Sequence, residues 1–70
     1  MNPVLMVLHL LYSWGVPVTV IASKHKYYGR LEQVGSEYYT LKSNHNLSIG
    51  VNATIVIRPG NYSQPEITLE

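Results

Sequence analysis

Valines at 16, 18 and 20 alternate with Pro17 and Thr19, so residues 16–22 read as a strand with one buried face. Pro17 falls near its start, where a missing N–H is tolerated. Upstream the period changes. Val4 to Tyr12 is apolar at every position except His9. Asn2 followed by Pro3 supplies an N-cap and a first-turn proline, and Gly15 supplies a C-cap. The segment therefore reads as a short helix, apolar nearly all round, which calls for cover on more than one face. It is too short for a bilayer span, which takes roughly 20 apolar residues. A signal peptide fits the length, and Ile21-Ala22-Ser23 resembles a cleavage site. No basic residue precedes the apolar run, however, and cleavage there would leave little core, so the helix is expected to stay in the mature protein, over a sheet. His9 on it reads as an interface or partly buried histidine.

Two β-rich runs, residues 26–34 and 38–42, flank Gly35-Ser36-Glu37, a connection suited to a hairpin with a bulge or a tight loop. Gly29 inside the first run weakens a strand unless the backbone bends there or is closely approached. Leu31 and Val34 lie three apart, so both are buried only if the strand bulges or twists. A bent strand paired to a short one curls a sheet. Beyond it, residues 43–46 read as a polar turn and 47–50 as a lead-in to a strong β-run over 52–58, stopped by Pro59-Gly60. Residues 62–65 read as loop and 66–69 as a short closing strand. The sum is a mainly β chain: a short N-terminal helix plus a five-stranded, strongly bent antiparallel sheet forming a small barrel. Residues 1–70 are expected to make a single domain, with the helix over 1–14 and the barrel over 15–70. Gly29, Gly35 and Gly60 are its candidate structural glycines.

Composition adds a partner to this picture. The chain is 46% hydrophobic and 13% charged, and it has no cysteine to staple or to ligate a metal. A domain of this size buries only about 60% of its unfolded surface. Small domains without staples often rely on oligomerisation, so the apolar excess points to further copies of the chain. Net charge is +1, which carries no whole-chain polyanion signal. Lys24, His25, Lys26 and Arg30 cluster as a solvated, basic turn of the kind that keeps a sheet edge soluble.

Catalysis has little support. The carboxylates are Glu32, Glu37, Glu66 and Glu70, aspartate is absent, and no G-x-S-x-G or phosphate-loop pattern occurs. The three histidines are too scattered for a zinc pattern. The expectation is a non-enzyme with no cofactor and no metal. Asn46, Asn52 and Asn61 each head an N-glycosylation acceptor pattern, which is common by chance and carries no secretion argument here. Aromatic residues near cations are the better lead. Tyr38-Tyr39, with Lys42 beyond and Arg58 at the end of another β-run, have the chemistry to stack bases and hold phosphates. The plainer account is a strand pair with one ring inward and one outward.

Element order then carries a family likeness. A helix, Gly15-x-x-Val18-x-Val20, a turn and Tyr28-Gly29-x-Leu31-x-x-Val34 resemble the first Sm motif. Ile57-Arg58-Pro59-Gly60 before a last short strand is similar to the I-R-G of the second. The resemblance to the Sm-like group (Sm, LSm and Hfq proteins) spans residues 3–69. The departures are Gly35 where the family usually has aspartate, Tyr39 near its base-contacting asparagine, and Pro59 between Arg58 and Gly60. The short loop between the third and fourth strands is as in bacterial or phage members. The resemblance implies a helix-topped bent barrel whose copies pair strand four to strand five in a homo-oligomeric ring of five to seven. It implies single-stranded RNA at the pore, contacted by Tyr38, Tyr39, Arg58 and Lys42 with Asn44 and His45 nearby. It also implies no membrane and a cytoplasmic location, or a host's cytoplasm for a phage protein. The alternatives are a ring kept as scaffold without nucleic-acid binding, and an unrelated SH3-like module that recognises a protein.

Overall fold

The computed structural model describes residues 2–60 and 64–69 and opens with helix α1 (Pro3–Trp14). Its ends are closed as the sequence requires. Asn2 Oδ1 accepts the Val4 N–H at 2.8 Å. At the other end Gly15 takes φ +68°, and the Gly15 and Val16 N–H groups donate to the carbonyls of Tyr12 and Leu11. Leu5, Leu8 and Leu11 point into the core. No helix among the described residues is long and apolar enough to cross a membrane.

Seven short strands follow: β1 (Val18–Ala22), β2 (His25–Gly29), β3 (Leu31–Gln33), β4 (Tyr39–Leu41), β5 (Asn44–Ile49), β6 (Thr54–Val56) and β7 (Glu66–Thr68). They form a four-stranded sheet in the order β2-β1-β7-β6 and a three-stranded sheet in the order β3-β4-β5. β1 and β7 are parallel; the other pairs are antiparallel. Val18, Val20, Leu41, Ile49 and Ile67 are fully buried, and with Leu8 they join helix and both sheets in one core.

The mainly β class and the single short helix hold, while the sheet differs from a single antiparallel one of five strands. Residues 26–34 form two strands, because the run breaks at Arg30 and passes from one sheet to the other. The bend expected around Gly29 therefore lies one residue on. Residues 44–46 belong to strand β5, with only Lys42-Ser43 turning. Their polar composition hid a strand because pairing with β4 sets the backbone there: Leu41 faces Asn44 and Tyr39 faces Ile49, with a bulge between. The run over 52–58 shortens to Thr54–Val56, since Asn52 lies in a turn where the Ala53 N–H donates to the Gly50 carbonyl at 3.0 Å. Residues 16 and 17 precede β1, because Val16 is spent on closing the helix. The last strand joins β1 in parallel, an arrangement that periodicity cannot specify.

Two of the three singled-out glycines are closely approached by side chains. A Cβ on Gly35 would lie 2.8 Å from Tyr38 Cε1, and one on Gly29 would lie 3.1 Å from Ser43 Oγ. That hydroxyl donates to the Tyr28 carbonyl at 3.2 Å, tying the β4–β5 turn to the end of β2. Gly60 instead takes φ +85°, a conformation that disfavours any other residue. Valine ordinarily gains on glycine in a strand by up to about 1 kcal/mol. Gly29→Val is expected to lose stability all the same, through the broken Ser43–Tyr28 contact. Urea melts of the two proteins check this, and a valine variant as stable as the parent contradicts it.

Candidate nucleic-acid interface

The six side chains proposed from the sequence do not meet in one copy of the chain. Tyr39 is 2% exposed and belongs to the core, with its hydroxyl 3.3 Å from His9 Nδ1 and its ring centroid 5.8 Å from that of Tyr12. No base can stack on it. Burial raises the Tyr39 phenol above its ordinary pKa, and the neighbouring Tyr12 adds to the rise. Tyr38, one residue earlier and so on the opposite face, is 42% exposed and lies against Gly35. The inward-outward tyrosine pair is realised with Tyr38 as the free ring.

Lys42, Asn44 and His45 lie at the other end of β4 from Tyr38. Lys42 N–H donates to the Arg30 carbonyl, and Asn44 Oδ1 accepts the Asn46 N–H. His45 Nδ1 sits 3.1 Å from Glu32 Oε1. Glu32 faces Thr40 in register, and Asn44, the neighbour of His45, faces Leu41. Thr40 is 4% exposed, and its Oγ1 finds no partner. Arg58 lies beyond the far end of β6, 3.3 Å from Glu66 Oε1 and largely exposed. Among the described residues Lys24, Lys26 and Lys42 have no carboxylate within 4 Å, and Tyr28 between them and the Lys42-Ser43 turn is 60% exposed.

The loop that reaches the Tyr38 side is 50–53. Gly50 is packed so closely on the Glu37 carbonyl that a Cβ there would lie 3.2 Å from its oxygen. Beside this junction opens a cleft of about 440 Å³, floored by Ala22, Leu47, Val51, Ala53 and Leu69 and rimmed by Glu37, Asn46, Ser48 and Asn52. The lining mixes these aliphatic side chains with two amides, a hydroxyl and the Glu37 carboxylate, and the cleft is open to solvent. The sequence reading missed these rim residues. The available signal was Gly50-Val51-Asn52, turn residues between the apolar runs around Ile49 and Ile55.

Among the described residues no three of His, Cys, Asp and Glu gather as a metal site. No family model, curated protein or solved structure matches the chain.

Two substitutions separate the core role of one tyrosine from the surface role of the other. Tyr39→Phe removes the hydroxyl from His9 and is expected to cost about 1 kcal/mol at neutral pH. Because the folded phenol titrates above the unfolded one, its contribution is complete below about pH 10 and is lost as pH rises through the folded value. Tyr39→Phe should flatten that alkaline decline, read from urea midpoints at pH 8 and pH 10.5; an unchanged decline contradicts the assignment. Gly35→Ala should push the Tyr38 ring into solvent with little loss of stability, visible as increased tyrosine quenching by acrylamide. Unchanged quenching would mean the ring does not rest on Gly35.

Proposed function

We propose that the chain is a divergent Sm-like subunit that assembles through its sheet edges and holds single-stranded RNA beside the 34–38 and 50–53 loops. The observation that carries this reading is the junction of Glu37 and Gly50 beside the cleft, with the Tyr38 ring free next to it. A strand bent at Arg30, a helix packed on the core and two loops converging at one end are the parts an Sm-like barrel uses. β2 and β6 end one sheet and β3 and β5 the other; when β2 and β3 are counted as one bent strand that joins the sheets, β6 and β5 are left as the outer edges. Pairing β5 of one copy with β6 of the next satisfies both edges and brings one Tyr38 and one cleft per subunit to a common rim. RNA then gains by repetition, each copy adding a weak contact to one strand. Arg58, placed in the pore by the sequence motif, lies 3.3 Å from Glu66 Oε1 within one copy and stays largely exposed.

The same assembly without nucleic acid is the second reading. It is favoured by the burial of Tyr39 and by the contacts that engage His45 with Glu32 and Arg58 with Glu66. Binding to oligo(U), oligo(A) and a duplex at low salt separates the two. The RNA reading expects salt-sensitive retention of both single strands, little of the duplex, and about tenfold weaker binding for Tyr38→Ala, since one stacked ring is worth roughly 1–3 kcal/mol. Asn52→Ala at the cleft rim should weaken it further. No retention of either single strand by the wild-type protein leaves the scaffold reading in place.

A further inference from the structure

Helix α1 is apolar nearly all round, and the fold covers one side of it. Leu5, Leu8 and Leu11 face the core, while Met6, Leu10 and Trp14 stay 50%, 45% and 69% exposed. Residues four apart share a face of a helix, so these three side chains form one ridge roughly 12 Å long. Trp14 is the most exposed large apolar side chain among the described residues. The helix has no Asp, Glu, Lys or Arg to interrupt the ridge.

Two cations border the Trp14 end. Arg30 Nε donates to the carbonyl of Gly15, the residue after Trp14, at 2.7 Å. The Lys42 N–H donates to the Arg30 carbonyl at 3.0 Å. Both side chains are exposed, and among the described residues neither has a carboxylate within 4 Å. Glu32 and Glu66 lie against His45 and Arg58, and Glu37 lines the cleft. An apolar ridge, an indole at its end and free cations beside the indole match the layers of a leaflet surface, from acyl boundary to headgroup.

Area and charge decide between lipid and a second copy. With at most about 250 Å² for a whole indole, the ridge exposes roughly 400 Å². Two copies packed ridge to ridge would bury roughly 800 Å², the size of a crystal contact and short of the ~1,200 Å² where specific interfaces begin. In an antiparallel pair Arg30 and Lys42 would also meet the positive end of the partner helix. A bilayer asks for no matching shape and offers the anions that these cations lack.

We propose that the Met6–Leu10–Trp14 face of α1, with Arg30 and Lys42 at its end, docks on the surface of an anionic lipid bilayer. The three apolar side chains enter the boundary between headgroups and acyl chains, and the helix lies flat, being too short to cross. The proposal departs from the absence of membrane that the family resemblance implied. It stands whether or not the chain binds RNA or forms a ring.

Trp14 is the chain's one tryptophan, so its emission reports on this face alone. The wild-type protein is titrated at low salt with vesicles of phosphatidylcholine and of phosphatidylcholine with added phosphatidylglycerol. The expected result is a blue shift, quenching by brominated acyl chains, and tighter binding to the anionic vesicles. Each basic residue at an anionic surface is worth about fivefold in affinity. Lys42→Gln keeps the backbone bond to Arg30 and should lose that factor on anionic vesicles only. Leu10→Ser, at an exposed position that leaves the reporter in place, should weaken binding to both. Emission unmoved by either vesicle overturns the proposal, as do equal binding to the two vesicle types and a Leu10→Ser variant that binds like the wild type. Emission that shifts with protein concentration in the absence of lipid gives the ridge to a second copy and overturns it too.

Discussion

The Arg30 carbonyl accepts the Lys42 N–H at 3.0 Å while its Nε donates to the Gly15 carbonyl at 2.7 Å, so one residue ties three parts of the chain together. Arg30 is the break between β2 and β3. On one side the strand pairs with β1, on the other with β4, and the two sheets diverge from this corner. The guanidinium also meets the end of α1, where unpaired carbonyls gather negative charge. Arg30 thus links the end of the helix, the break between the sheets and the β4–β5 turn, while Leu5, Leu8 and Leu11 hold the helix on the core. Gly29 leaves room for that turn to approach, with Ser43 bonded to the Tyr28 carbonyl.

A corner of this kind leaves edges. β5 and β6 have neighbours on one side only among the described strands, and the outward face of α1 carries Met6, Leu10 and Trp14 at four-residue intervals, each 45–69% exposed. The helix has no charged residue to blunt that face. Unpaired strand edges template pairing with other chains unless they are covered. The apolar balance of the sequence thus surfaces in the exposed helix face, and the open edges add unpaired backbone groups beside it. These edges are why self-association enters the functional proposal.

Local signals were legible where local chemistry decides. Asn2-Pro3 and Gly15 bound α1, the valine alternation marked β1, and Gly29 announced a bend within one residue of where it falls. The signals failed where partners decide. Asn44-His45-Asn46 reads as a turn, but pairing with β4 makes it a strand; and Glu66-Ile67-Thr68 says nothing about running parallel to β1. At the candidate site the same divide appears. The expectation of one tyrosine in and one out was sound, with Tyr39 the buried one, while the convergence of Glu37, Gly50 and Asn52 depends on loops brought together by the fold.

The central claim is that the chain closes its open sheet edges with copies of itself, β5 to β6, around a ring. The mass of the native particle tests it most directly, by light scattering or native mass spectrometry at micromolar concentration. The account predicts a single closed species of five to seven copies that does not grow with concentration. A protein that stays a 7.9 kDa monomer under those conditions would contradict it.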